Sequence, residues 1–138
     1  MPSPRAAPAL GLLLLALLAC AAPRTSPGLV GTAGADDAAA QGQAVLRRFV
    51  RAVELGRWTE AWPLLSARWR AASSPERLAA DYRAAGPVAR EAVERLAPLI
   101  EAGAPLVVVP AGLRLELGEG RAARLVAEPG GWRVDALE

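Results

Sequence analysis

The sequence predicts an α+β domain, with N-terminal helices packed on one face of a C-terminal antiparallel β-meander. Three observations carry this. Residues 41–100 repeat apolar side chains at helical spacing. Residues 106–136 switch to strict apolar–polar alternation, punctuated by Gly-rich turns. The helical and strand patterns are also segregated along the chain rather than interleaved, which argues against a parallel sheet.

The elements follow in order. Val45, Leu46, Phe49, Val50 and Val53 form one apolar stripe, while Arg47, Arg48 and Arg51 take other faces; Gly56 ends this first helix. Thr59 is the N-cap expected for a second helix carrying Trp62, Leu65 and Trp69, with Pro63 in its first turn, where a missing N–H costs little. Ser74-Pro75-Glu76 opens a third helix: Ser caps, Pro takes the first helical position, and Glu sits at the positive end of the helix dipole. It runs through Leu78 and Tyr82 to Gly86-Pro87. A fourth helix spans Val88 to about Ile100, and Pro98 is expected to kink or end it. Leu106–Val109 is a short β-branched strand between prolines. Leu113, Leu115 and Leu117, then Ala123, Leu125 and Ala127, then Trp132, Val134 and Ala136 mark three further strands, joined by turns at Gly118-Glu119-Gly120 and Glu128-Pro129-Gly130-Gly131. Their outer face would carry Arg114, Glu116, Arg124, Arg133 and Asp135 as cross-strand charge pairs.

The N-terminal segment is of a different kind. Arg5 precedes an apolar run, Ala9–Ala19, that is shorter than the roughly 20 residues a membrane-spanning helix needs. The run ends in Leu17-Leu18-Ala19-Cys20, and Cys20 is the only cysteine in the chain. This resembles the lipobox of a bacterial lipoprotein signal. The resemblance implies cleavage before Cys20, diacylglycerol on its thiol, an acylated (palmitate-type) amine, and a cell-envelope location. With no Asp after Cys20, it further implies the periplasmic face of the outer membrane in a host with two membranes. The alternative is an ordinary secretory signal cleaved after Ala21, which would discard Cys20 and release a soluble protein. The expected organisation is therefore a signal peptide over 1–19, a lipidated cysteine and flexible linker over 20–40, and the folded domain over 41–138. The linker reading rests on a composition of Ala, Gly, Pro, Ser and Thr with little apolar periodicity. Such a coil would hold the domain about 25 Å from the lipid.

Charge and chemistry narrow the function. Every basic residue is Arg, with no Lys, Asn or His, a bias that fits codons rich in G and C. Basic and acidic residues are interspersed, which gives no concentrated face for nucleic acid. Without His there is no usual general base, no imidazole ligand and no Ser–His dyad. No phosphate-binding glycine motif occurs. Asp36-Asp37 is an adjacent acidic pair in the linker and reads as solvated charge. Glu91, Glu94 and Glu101 alternate with Arg90 and Arg95 as helix-surface pairs. No catalytic residue, metal ligand or cofactor is assigned.

The segment from Phe49 to Trp62, with its Gly56-Arg57-Trp58 and Ala61-Trp62, the Leu64-Leu65-Ser66 that follows, and the closing Gly120–Asp135 hairpin with Gly130-Gly131-Trp132 resemble the small NTF2-like (cystatin-like α+β) domains of exported proteins. The resemblance covers most of 41–138. Enzymes of that family generally use a pocket Asp or His, which would make Asp81, beside Tyr82, and Asp135 the acidic candidates here. Trp58, Trp62, Trp69, Tyr82 and Trp132 would line an apolar pocket if they converge, or fill the core of an alanine-rich domain if they do not. The reading is a membrane-anchored binding or interaction module for a protein partner or small apolar ligand, with no nucleic-acid partner. Its alternatives are a pocket-type enzyme using Asp81 and Tyr82, and a structural envelope lipoprotein.

Overall fold

A computed structural model describes residues 32–137. Five helices come first: α1 (Thr32–Glu54), α2 (Trp58–Ala61), α3 (Ala67–Ala72), α4 (Pro75–Ala85) and α5 (Pro87–Glu101), with a 3-10 turn at Trp62–Leu64 between α2 and α3. Four strands follow: β1 (Val107–Val109), β2 (Gly112–Gly118), β3 (Arg121–Glu128) and β4 (Gly131–Leu137). The strands form one antiparallel meander in the order β1-β2-β3-β4. This is the α+β arrangement expected. The signal peptide, Cys20 and the linker up to residue 31 lie outside the described residues.

The core lies between α1, α5 and the sheet. Leu46, Phe49, Val50 and Val53 of α1 and Val93, Leu96 and Ile100 of α5 meet Leu113, Leu115, Leu125 and Val134 of the strands. Leu46, Leu96 and Leu113 are fully buried. Fully burying a side chain of that size is worth about 2 kcal/mol each.

Two helices stop on glycine in the same way. At the end of α1, Gly56 has φ 64°, its N–H bonds the Val53 carbonyl, and the Arg57 N–H bonds the Ala52 carbonyl. At the end of α5, Gly103 (φ 67°) bonds Ile100, and Ala104 bonds Leu99. Both are Schellman stops, in which the left-handed residue turns otherwise orphaned carbonyls onto backbone donors. The start of α4 matches its sequence signature: the Ser74 hydroxyl accepts from the Arg77 N–H, and Pro75 takes the first turn.

Four expectations need correction. First, helix α1 begins at Thr32 rather than near Gln41, so the stretch expected to be flexible up to residue 40 is helical from Thr32 onward. Its alanines are the strongest helix formers, and Ala38 and Ala39 pack against the core, which composition alone had hidden. Second, the single helix expected from Thr59 to Trp69 is broken. The chain leaves the 3-10 turn into extended backbone at Leu65 and Ser66, where Leu65 bridges Val134 in parallel and the Ser66 N–H bonds the Val134 carbonyl. Edge pairing with β4 overrides helix continuity there. Third, of the two outcomes expected at Pro98 the ending does not occur: α5 continues to Glu101, close to the expected end at Ile100. Fourth, the register does not set opposite charges directly across from one another on the outer sheet face. Arg114 lies opposite Arg124, Glu116 opposite Ala122, and Arg133 opposite Val126. Arg114 instead pairs with Glu116 along its own strand, at 2.5 Å.

The register explains the fate of Asp135. Leu125 faces Val134, but the next residue back on β3, Arg124, faces Ala136. Asp135 is therefore the extra residue of a β-bulge. Bulges re-aim a side chain and invert the alternation beyond them. Ala136 consequently stands beside Arg124, and Leu137 takes the core side instead.

Candidate functional site

The bulge turns Asp135 toward the chain that crosses the β4 edge. The Ser66 hydroxyl donates to Asp135 Oδ1 at 2.7 Å, and Arg68 donates to Oδ1 through Nε at 3.3 Å and to Oδ2 through Nη2 at 3.2 Å. Trp69 Nε1 and Arg68 Nη2 both donate to the Asp135 carbonyl. Ser66 is 1% exposed and is the buried polar residue of the described core. Buried hydroxyls need a partner, and here a carboxylate supplies it.

A second carboxylate works alongside. Glu128 accepts from the Ala67 N–H through Oε1 at 2.5 Å and from Arg70 Nη2 through Oε2 at 3.0 Å. Arg70 also donates to the Leu65 carbonyl. The Ala67 N–H is one of the orphan donors at the start of α3, so Glu128 caps that helix from a distant strand. These bonds, the Ala67 amide first and Arg70 after it, hold the Glu128 carboxyl below the ordinary carboxylate range. Asp135 and Glu128 thus lock the Leu65–Arg70 segment onto the sheet. Every carboxylate oxygen in the cluster that is described as bonded is taken up by a donor of the protein itself. A carboxylate so engaged is a fastener rather than a free base.

Replacing Glu128 by Gln should remove a pH-dependent part of the stability. The folded-state value is depressed, so the contribution is complete above the unfolded carboxylate value of about 4.3 and is lost as pH falls through the folded value. Urea midpoints measured from pH 7 down to pH 3 should fall more steeply for the wild type than for Glu128→Gln. At neutral pH the variant should be weaker by about 1.5–3 kcal/mol, the range for hydrogen bonds to a charged group. Parallel pH profiles for the two proteins would contradict the capping role.

The aromatic residues do not share one site. Trp58 and Tyr82 stack with ring centroids 5.1 Å apart at 49°, joining α2 to α4. Burial pushes the Tyr82 hydroxyl above its ordinary value. Trp62 donates to the Ser73 carbonyl at 3.2 Å and packs on the core. Trp69 is 44% exposed on the α3 surface, with the Arg68 guanidinium 5.4 Å from its ring centroid. Trp132 packs on the core from β4. Asp81 is ion-paired to Arg77 at 2.9 Å, one turn away on α4, with its side chain 54% exposed. Neighbouring residues on a helix point about 100° apart, so Asp81 and Tyr82 look in different directions. Among the described residues no group of His, Cys, Asp and Glu could hold a metal ion.

Concave surface occurs instead where α1 ends and α2 begins. One groove of about 420 Å³ runs between the Arg48, Arg51 and Leu55 stripe of α1 and a wall of Arg57, Glu60 and Pro63. A second, of about 440 Å³, lies on the other side of α2, where Trp58 meets Pro75, Ala79 and Arg83 of α4. The two share Arg57, Thr59 and Glu60. Trp58 is the one aromatic of the five that lines either groove. Arg48 and Arg51 read as solvent-facing charges in the helical pattern. The signal that could have marked them is their spacing with Leu55, at i, i+3 and i+7, which places two arginines and an exposed leucine on one stripe. No helix among the described residues is long and apolar enough to cross a membrane. Comparison with protein-family models, with curated proteins and with solved structures finds no match to this chain.

Proposed function

We propose that the chain is an extracytoplasmic lipoprotein, anchored through acyl chains on Cys20, whose α+β domain is a non-enzymatic binding or interaction module of the NTF2-like type. The observation that carries the anchor is Leu17-Leu18-Ala19-Cys20 at the end of a short apolar run, with no second cysteine to pair with. One acyl chain gives marginal membrane affinity, and each further buried methylene adds about 0.8 kcal/mol, so two or three chains hold the protein stably.

The binding reading rests on how the carboxylates are used. Asp135 and Glu128 fasten a loop, Asp81 pairs with Arg77, and Glu91 and Glu119 both pair with Arg95. Acid–base work needs a carboxyl whose proton affinity is tuned near the working pH. Glu76, Glu116, Glu119 and Glu128 are all shifted the other way, lowered by hydrogen bonds from backbone or arginine. What the surface offers a partner is arginine beside exposed apolar side chains.

Native mass spectrometry of the full-length protein extracted from membranes tests the anchor. The expected mass is that of a chain beginning at Cys20 plus diacylglycerol and an N-acyl group. Cys20→Ala should abolish that mass and the membrane fraction together. An unmodified chain beginning at Ala22 would make the protein a secreted one. The same spectrum reports a co-purifying small molecule or a protein partner.

A further inference from the structure

We infer that the groove between α1 and α2 binds the headgroup of an anionic phospholipid, a membrane contact separate from the N-terminal acyl anchor. Several arginines of this domain are held by carboxylates: Arg57 by Glu60, Arg68 by Asp135, Arg70 by Glu128, Arg77 by Asp81, Arg95 by Glu91 and Glu119. What sets Arg48 and Arg51 apart is that they line one groove together. Neither side chain enters a hydrogen bond or ion pair among the described residues, and both line the groove. They stand three residues apart on one helix face, where like charges repel. Arg57 faces them across the groove, held only by a long 3.8 Å pair to Glu60 in which both side chains are more than half exposed. An exposed pair of that length is worth well under 1 kcal/mol, so Arg57 is readily drawn to a stronger anion.

Three arginines line one concavity, and guanidinium groups bind phosphate through paired N–H donors. The apolar part of the lining selects the kind of phosphate. Leu55 is 50% exposed at the lip, next to exposed Pro63, while Ala52 and Leu64 form a buried floor. Arginine beside an exposed leucine is the composition of surfaces that sit in the headgroup layer, with the charge on phosphate and the apolar group at the acyl boundary. A free anion would leave Leu55 in water. The inference does not depend on acylation of Cys20.

The test is titration calorimetry of the full chain with three probes: dihexanoylphosphatidylglycerol and dihexanoylphosphatidylcholine, both below their micelle concentrations, and inorganic phosphate. The anionic lipid should bind at least about tenfold more tightly than either of the others, the effect of about 1.4 kcal/mol of differential contact. Arg48→Gln with Arg51→Gln should lose about tenfold or more, and Leu55→Ser about threefold, whereas Arg47→Gln on the same helix but outside the groove should lose nothing. Glu60→Gln removes the one acid of the groove and should tighten binding about twofold, a gain that misfolding cannot mimic. Equal affinity for the two lipids would overturn the inference. So would phosphate binding as tightly as the anionic lipid, which would make this a free-anion site, or an Arg48/Arg51 double variant that binds normally.

Discussion

Gly112→Ala is expected to destabilise the domain by about 4 kcal/mol, enough to leave a domain at the lower end of ordinary stability only marginally folded. Gly112 opens β2 at φ 139°, in a region that side-chain-bearing residues rarely adopt. A Cβ built there would lie 2.0 Å from the Leu125 carbonyl oxygen and 3.1 Å from its carbon. The obstacle is backbone, and it belongs to β3, which pairs with β2 on one side and β4 on the other. Relief therefore requires moving a central strand rather than rotating a side chain. The backbone conformation alone costs about 1–3 kcal/mol, and the displaced strand supplies the rest. Gly118→Ala gives the comparison, since Gly118 has φ 86° and no atom within 4 Å of its Cβ position. It should cost about 1–2 kcal/mol, the conformational term by itself. Urea unfolding of both variants separates the two contributions, and equal losses would show that the carbonyl contact is not the cause.

The contrast between these two glycines bears on what could be read before the structure. Turn chemistry was legible. Gly118-Glu119-Gly120 reads as a tight turn, and Glu119 and Gly120, the central residues of that hairpin, have φ 55° and 77°, as a type I′ turn requires. Glu119, the described non-glycine residue with positive φ, is held from outside by Arg95 of α5 at 2.8 Å. The helix stop at Gly56, the cap at Ser74 and the strand order were legible for the same reason: each rests on interactions within a few residues or on alternation. Two of the missed features depend on partners far along the chain. The break at Leu65 and Ser66 exists because β4, nearly seventy residues later, offers an edge. The bulge at Asp135 exists because Ser66 and Arg68 receive its carboxylate. Strict alternation put Asp135 on the outer face with a neighbouring Arg as its partner, and only the register reveals otherwise. The arginine groove was hidden differently. Arg48, Arg51 and Leu55 share a stripe by their spacing, but the wall of Arg57, Glu60 and Pro63 that makes a groove of it comes only with the fold.

Leu113→Ala and Gly42→Ala should each destabilise the domain alone and partly rescue one another together. Leu113 is fully buried on β2, directly opposite Leu125. Its truncation should cost about 3–4 kcal/mol, the transfer term plus the cavity left behind. Gly42 lies in the middle of α1, where glycine weakens a helix by about 1 kcal/mol relative to alanine. Its presence there has a packing cause. A Cβ at Gly42 would meet Leu113 Cδ1 at 2.5 Å and Leu106 Cδ1 at 2.9 Å. Glycine thus lets α1 approach the sheet closely enough for the two leucines to fill the space beneath it. In the wild-type background, overpacking of about 1–3 kcal/mol should outweigh the gain in helix propensity, for a net loss of about 1 kcal/mol. When Leu113 is already truncated, the tighter of the two obstacles is gone. The remaining one, Leu106, is the end of a flexible side chain. The new methyl then fills part of the cavity and the helix keeps its propensity gain, so the double variant should be about 1 kcal/mol more stable than Leu113→Ala alone. Against simple addition that is a coupling of about 2 kcal/mol, within the range seen for contacting residues. Urea unfolding of the four proteins in the cycle measures it directly. Additive losses would mean that α1 can lift away from the sheet and that Gly42 does not set its distance from the strands.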